Sequence, residues 1–244
     1  EQETFDIQPG HWGDANVTDP DGDDTLVTWS LSNPHFAARP DEDRVEGWEW
    51  EANATITVTI DSQAETTTAD EWGNFWLDLS DSFDLQPGHL VTVTDGTYAK
   101  SHTVTGLAVT AVDPATDVVF GTAAQGSRVW VQICHDWGCV QREEFADTSG
   151  NWAADFSQPG DRDDEQETHD IQLGTSGDAS QEDGDGDRTQ IWWRVPNPHF
   201  SARISENQVH GYEWTQGTTV TLAIDDPGTP QSPDYTADQI PGAA

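Results

Sequence analysis

Residues 165–225 repeat residues 1–61 without a gap, at a constant offset of 164. Glu165-Gln166-Glu167-Thr168 restates Glu1-Gln2-Glu3-Thr4, Asn197-Pro198-His199-Phe200 restates Asn33-Pro34-His35-Phe36, and roughly half of the aligned positions are identical. Tandem structural modules are made this way, whereas a catalytic chain seldom needs its segments twice. A weaker repeat lies inside the first. Phe83-Asp84-Leu85-Gln86-Pro87-Gly88 echoes Phe5-Asp6-Ile7-Gln8-Pro9-Gly10, and Asp147-x-x-Gly150-Asn151-Trp152 echoes Asp70-x-x-Gly73-Asn74-Phe75. The unit is therefore about 80 residues, an ordinary size for a small β-sandwich domain.

The formal net charge is −37, from 46 acidic residues against nine basic ones, and Lys100 is the single lysine. Such a field repels nucleic acid and anionic lipid, and it opposes compaction unless cations neutralise it. Twelve tryptophans and eight phenylalanines nevertheless argue for packed cores over disorder. A high-salt habitat and bound divalent cations are the two explanations left open. No run of 18 apolar residues exists, so membrane insertion through a helix is not expected. With no initiating methionine and no signal peptide, residue 1 reads as a processed or trimmed end. Cys134 and Cys139 have the separation of a disulfide across a hairpin, and two thiols alone cannot complete a structural zinc site. Asn16-Val17-Thr18 and Asn53-Ala54-Thr55 have the N-glycosylation pattern, and the sum points to an extracellular or cell-surface protein.

The alternation in Thr55-Ile-Thr-Val-Thr-Ile60, Val91-Thr-Val-Thr94, Val129-Trp-Val-Gln-Ile133 and Thr219-Val-Thr-Leu222 predicts strands. Turn clusters such as Gln86-Pro-Gly88, Asp95-Gly96 and Gln158-Pro-Gly160 separate them, and no long helical stripe appears. Many short strands at regular spacing predict an all-β chain of antiparallel sandwiches. Residues 107–155 resemble the bacterial Ig-like domains found in tandem on secreted and surface proteins. The shared elements are Val112-Asp-Pro114, Val119-Phe-Gly121, the Gln125-Gly126 turn and Ala146-Asp-x-x-Gly-Asn-Trp152. Leu173-Gly174 and Asp183-Gly-Asp-Gly-Asp187 fill the place of the closing strands and Asp-Gly loop. The resemblance covers nearly the whole chain. It implies seven-stranded sandwiches in an elongated array that serves as spacer, stalk or adhesive module, without enzymatic activity. It also sets boundaries: closing strands at 1–31, complete domains at 32–106 and 107–195, and opening strands at 196–244. The two partial segments are complementary, so the expectation is a head-to-tail homo-oligomeric filament, with the alternative that the 244 residues are a cut from a longer covalent repeat and have no subunit joint.

The strongest site signal is Asp19, Asp21, Asp23 and Asp24, with Asp183, Asp185 and Asp187 in the second copy. Carboxylates at alternate positions with glycines between them can curl oxygens around one hard cation, and structural Ca2+ suits such a flexible oxygen set. The loop is not an EF-hand: Asp24 and Arg188 stand where the sixth-position glycine belongs, and Ser30 and Arg194 replace the closing glutamate. Asp14, Asp178 or backbone carbonyls would complete the shell. The competing reading is a solvated acidic turn. Trp48 and Trp50, with Tyr212 and Trp214 in the second copy, sit at i and i+2 and form either a glycan-stacking platform or core. No nucleophile elbow, zinc-protease pair or phosphate loop appears, and with this many carboxylates a chance glycosidase pair carries no information. The expectation is a calcium-stabilised structural array forming a fibre, sheath or stalk. The alternative is an adhesin or carbohydrate-binding module.

Overall fold

The computed structural model describes residues 6–135 and 138–242; the first five residues of the 1–31 segment lie outside them. The chain is almost all β. In order, the strands are β1 Trp12–Thr18, β2 Asp24–Ser30, β3 His35–Arg39, β4 Arg44–Trp48, β5 Thr55–Ile60, β6 Gln63–Thr68 and β7 Phe75–Asp78. There follow β8 Leu90–Thr94, β9 Ala99–Thr103, β10 Ala108–Asp113, β11 Val118–Thr122, β12 Arg128–His135, β13 Gly138–Phe145 and β14 Asn151–Asp155. The last are β15 Ser176–Glu182, β16 Arg188–Arg194, β17 His199–Arg203, β18 Gln208–Tyr212, β19 Val220–Ile224 and β20 Tyr235–Gln239.

Two cores organise the middle of the chain. In the first, the β3-β4-β7 side contributes Phe36, Val45 and Phe75, and the β6-β5-β8-β9 sheet contributes Ile56, Val58, Val91 and Val93. The second stacks β10-β11-β14 against β13-β12-β15-β16, with Val119 and Trp152 on one side and Val129, Val131, Ile133 and Trp193 on the other. Alternation dictates this: in β5 and β12 every second residue is a buried aliphatic, and the residues between face outward. The Asp-x-x-Gly-Asn motif is a turn device. Asp70 Oδ1 accepts the amides of Trp72 and Asn74, and Asp147 Oδ1 accepts those of Ser149 and Asn151. A glycine at positive φ, Gly73 or Gly150, completes each turn. Cys134 and Cys139 face each other across the β12–β13 ladder and are joined as a disulfide.

The two sandwiches are not merely strung in line. β16, the last strand of the second, pairs in parallel with β3, the first strand of the first, through Arg188↔Ala37 and Thr189↔Ala38. A single seven-stranded sheet, β13-β12-β15-β16-β3-β4-β7, thus runs through both.

Either side of this central body the strands form two-stranded sheets only: β1-β2, β17-β18 and β19-β20. The offset of 164 allows a direct reading of what they lack. Phe36 is 0% exposed and its copy Phe200 66%. Ile60 is 3% exposed and its copy Ile224 47%.

Candidate metal loop at the domain junction

Both aspartate loops are built the same way. Asp19 Oδ1 accepts the amides of Asp21, Gly22 and Asp23 at 3.2, 3.1 and 3.0 Å, and Asp19 N donates to the Asp23 carbonyl. Asp183 Oδ1 accepts the amides of Asp185 and Asp187 at 3.2 and 3.1 Å, and Asp183 N donates to the Asp187 carbonyl. In each loop the three alternate aspartates bring one carboxylate oxygen apiece within 4.8 Å of the others. Asp24 does not join them. It opens β2 opposite Thr18, because the hairpin pairing resumes at that residue. Asp178, expected as a supplementary ligand, instead lines a cleft on the outer sheet face, and burial raises its pKa.

The surroundings differ. Asp19, Asp21 and Asp23 are exposed, whereas the 183–187 loop is driven against the first sandwich. Asp187 is fully buried; its Oδ1 accepts the Phe36 amide at 2.9 Å, and its Oδ2 finds no hydrogen-bond partner among the described residues. Asp183 Oδ2 lies 2.9 Å from His102 Nδ1, while His102 Nε2 meets Thr189 Oγ1 at 2.9 Å. Lys100 Nζ reaches Asp185 Oδ2 at 3.0 Å and the Asp185 carbonyl at 3.2 Å. Asp41 Oδ2 accepts the Trp192 amide at 2.9 Å further along the seam. Burial first, and then the charges of Asp185 and Asp183, push the Asp187 carboxyl up to about 7 against the opposing effects of the Phe36 amide and Lys100. Asp185 goes the other way, held low by the Asp183 side chain and by Lys100. A buried carboxylate with an undonated oxygen calls for a proton or a cation.

The oxygen set fits calcium. Ligands on opposite sides of a calcium ion stand about 4.6–5.2 Å apart, twice a bond of roughly 2.3–2.6 Å, and the observed spacing is compatible with that range. All three side-chain donors are hard carboxylate oxygens, and nothing in either cluster suits a thiophilic metal.

Trp48 and Trp50 do not form a common platform. Glu49 adopts a positive φ of 61°, which breaks the strand alternation between them. Trp50 turns into the core, its Nε1 donating to the His35 carbonyl and its ring edge-on to Phe75. Trp48 remains half-buried on the outer face, stacked on His35, with the Arg188 guanidinium 4.7 Å from its ring centre. In the second copy Glu213 repeats the positive φ; Tyr212 stacks on His199 and Trp214 Nε1 donates to the His199 carbonyl. Beside Arg188 an open cleft of about 330 Å³ is lined by Trp130, Gln132, Gln141, Asp178 and Gln190 among others.

Sequence reasoning missed His102, Lys100 and the Phe36 amide as partners of the loop. The available signal was that the one lysine of a heavily acidic chain falls in a closing strand.

No protein-family model matches the chain, and no curated protein does. Among solved structures it is similar to a Ca2+-stabilised adhesin that helps an Antarctic bacterium reach out and bind ice, with 18% identity and a TM-score of 0.25 over 75% of this chain and 56% of that one. A 1.5-MDa bacterial ice-binding adhesin aligns at 16% identity and a TM-score of 0.24, over 75% of this chain and 73% of that one. A tetra-tandem repeat from the extending region of a large adhesion protein aligns at 14% identity and a TM-score of 0.25, over 93% and 69%. The chain thus spans little more than half of the first of these structures. Likeness at this level carries no weight for function.

Proposed function

We propose that the chain is a stretch of an extracellular structural array of tandem Ig-like domains, a fibre, sheath or stalk component, whose domain junction is fixed by calcium at Asp183, Asp185 and Asp187. The observation that carries this reading is Asp187: a fully buried carboxylate with one oxygen unpaired, wedged between two sandwiches of a strongly acidic chain. A divalent cation there neutralises the loop and relieves repulsion across the seam at the same time. Asp19, Asp21 and Asp23 repeat the loop and take the same ion more weakly, because solvent competes and no buried carboxylate demands it. The reading assigns no catalytic residue.

The test separates calcium from bulk salt. Chelation lowers the melting temperature of the 244-residue chain and calcium restores it, by about 2.7 kcal/mol at a free concentration one hundred times the dissociation constant. Sodium chloride at matched ionic strength does not substitute. Equal rescue by sodium chloride assigns the acidity to a high-salt habitat and removes the calcium site.

A second reading, saccharide binding, is favoured by the open cleft lined by Trp130, Gln132, Gln141, Asp178, Arg188 and Gln190. Amides, a carboxylate and a flanking indole are the groups that recognise neutral sugars. A neutral oligosaccharide panel that binds the intact chain but not Gln132→Ala would establish it.

A further inference from the structure

We infer that the cleft on the outer face of the seven-stranded sheet binds a uronic-acid saccharide, with Arg188 taking the sugar carboxylate. The proposal narrows the saccharide reading of that cleft and rests on it.

A guanidinium left over in an acidic chain carries the argument. Among the described residues every other arginine except Arg142, and Lys100 as well, holds a carboxylate within 3.6 Å. Arg142 is buried and spends its donors on the carbonyls of Asp155, Gln141, Gln158 and Glu167. Arg188 has neither kind of partner, although Glu182 stands directly across the β15–β16 ladder from it. Its guanidinium lies instead 4.7 Å from the Trp48 ring centre, and its Nε donates to Gln190 Oε1 at 3.3 Å. Nη1 and Nη2 make no hydrogen bond within the described residues. They form the paired donor edge that meets a carboxylate in fork geometry, already oriented by the indole behind it.

The sheet register builds the rest of the site. Trp130, Ser180 and Gln190 lie in one row across β12, β15 and β16, with Gln132 and Asp178 in the row beside it. Ser180 is the short side chain between two long ones, so the face dips there. The resulting cleft of about 330 Å³ stands at the lower end of small-molecule sites, roughly 300–1,000 Å³, and suits a short saccharide. Arg128 and Arg162, 5.4 and 5.1 Å from the Trp130 ring centre, hold that wall in place. The Gln132 amide and the Ser180 hydroxyl have no side-chain partner among the described residues. Amides and hydroxyls both donate and accept, which matches the hydroxyls of a sugar ring.

Asp178 and Glu182 also line the cleft and set its selectivity. Burial raises the Asp178 pKa, against its bond to Gln190 and the charges of Arg188 and Arg39. One carboxylate therefore fits against one guanidinium, and a more highly charged anion is repelled. Screening cuts off the field of the remaining acidic chain beyond about 8 Å at physiological salt, so these local groups decide which anion enters.

The experiment is titration calorimetry on the full chain, with chelator present and at about 0.15 M salt. The probes are diuronates of gluco, manno and galacto configuration and their methyl esters, which keep the sugar and remove the charge. At least one diuronate is expected to bind about tenfold or more tightly than its ester, the margin of a charge-assisted hydrogen bond. Arg188→Gln is expected to bring acid and ester to the same affinity, and Arg188→Lys to restore part of the difference. Gln132→Ala weakens both forms alike. The acid–ester comparison on the unmodified chain stands whether or not the variants fold. Equal binding of acid and ester overturns the proposal and leaves the saccharide reading in place; binding of neither removes both. A preference that survives in Arg188→Gln, glutarate competing as well as the diuronate, or binding that requires calcium also overturns it.

Discussion

The hairpins β1-β2 and β15-β16 are two copies of one sequence unit with opposite fates. Both close on an aspartate loop in which Asp19 or Asp183 gathers the following amides. Only the second finds a sandwich to complete and a neighbouring domain to grip. There the tryptophan falls to 5% exposure while its copy, Trp29, keeps 39%, and Asp187 is sealed while Asp23 stays in water. The turn is a local property of the chain; the site is a property of what the turn is pressed against.

The sharpest way to break this comparison is through the paired tryptophans. Trp193→Ala leaves a cavity in the second core and is expected to cost about 3–5 kcal/mol. Trp29→Ala, on a hairpin with no core beneath it, should cost well under about 1 kcal/mol in dilute buffer. Urea denaturation of the two variants side by side reads the difference, and equal losses would mean that the head hairpin has a hidden partner within the same chain.

A smaller contrast lies in the loops. Asp187→Ala removes the acceptor of the buried Phe36 amide, a loss of about 1–3 kcal/mol. Asp23→Ala removes no such acceptor and should change stability by less than about 0.5 kcal/mol. Hydrogen exchange at Phe36 reports the first directly: protection lost in Asp187→Ala and unchanged in Asp23→Ala.

The smallest effect separates the junction from the interior of the second sandwich. Burial, with Glu165 and Asp161 adding, pushes Glu144 up to about 7, while Arg142 opposes the rise. A carboxyl whose folded pKa lies above its unfolded value makes the native state bind the proton more tightly. Its contribution is therefore fully present below about pH 4.5 and is lost as pH climbs through about 7. Since Glu144 is only partly buried the slope is shallow, and Glu144→Gln should flatten it in a melting series from pH 4.5 to 8. An unchanged slope would assign the pH dependence to the junction instead.

Much of this was legible in the residues. The period of 164, the β5 and β12 alternations and the Asp-x-x-Gly-Asn turns are local patterns, and local physics is what a sequence writes most plainly. The Cys134–Cys139 pairing was legible for the same reason, since a short loop on a hairpin leaves little choice. Period two puts Trp48 and Trp50 on one face, as platform or as core; Trp50 is core, and Trp48 does not share its face because a positive φ at Glu49 breaks the strand between them. The β16–β3 pairing left no periodic trace at all. It joins residues about 150 positions apart through backbone groups that every sequence possesses, and the side chains that mark it, Lys100 and the buried Asp187 among them, follow no period.

In the proposed array that seam would also set how load is borne. Tension along the proposed array would enter at the amino end of β3 and leave at the carboxyl end of β16. These strands lie parallel and are drawn in opposite directions, so their links are sheared rather than peeled. The backbone ladder at Ala37–Ala38, the Asp187–Phe36 bond before it and the Asp41–Trp192 bond after it must yield together, not one after another. In such an array, two sandwiches joined in this way would yield to force as one element, with compliance left to the connections on either side.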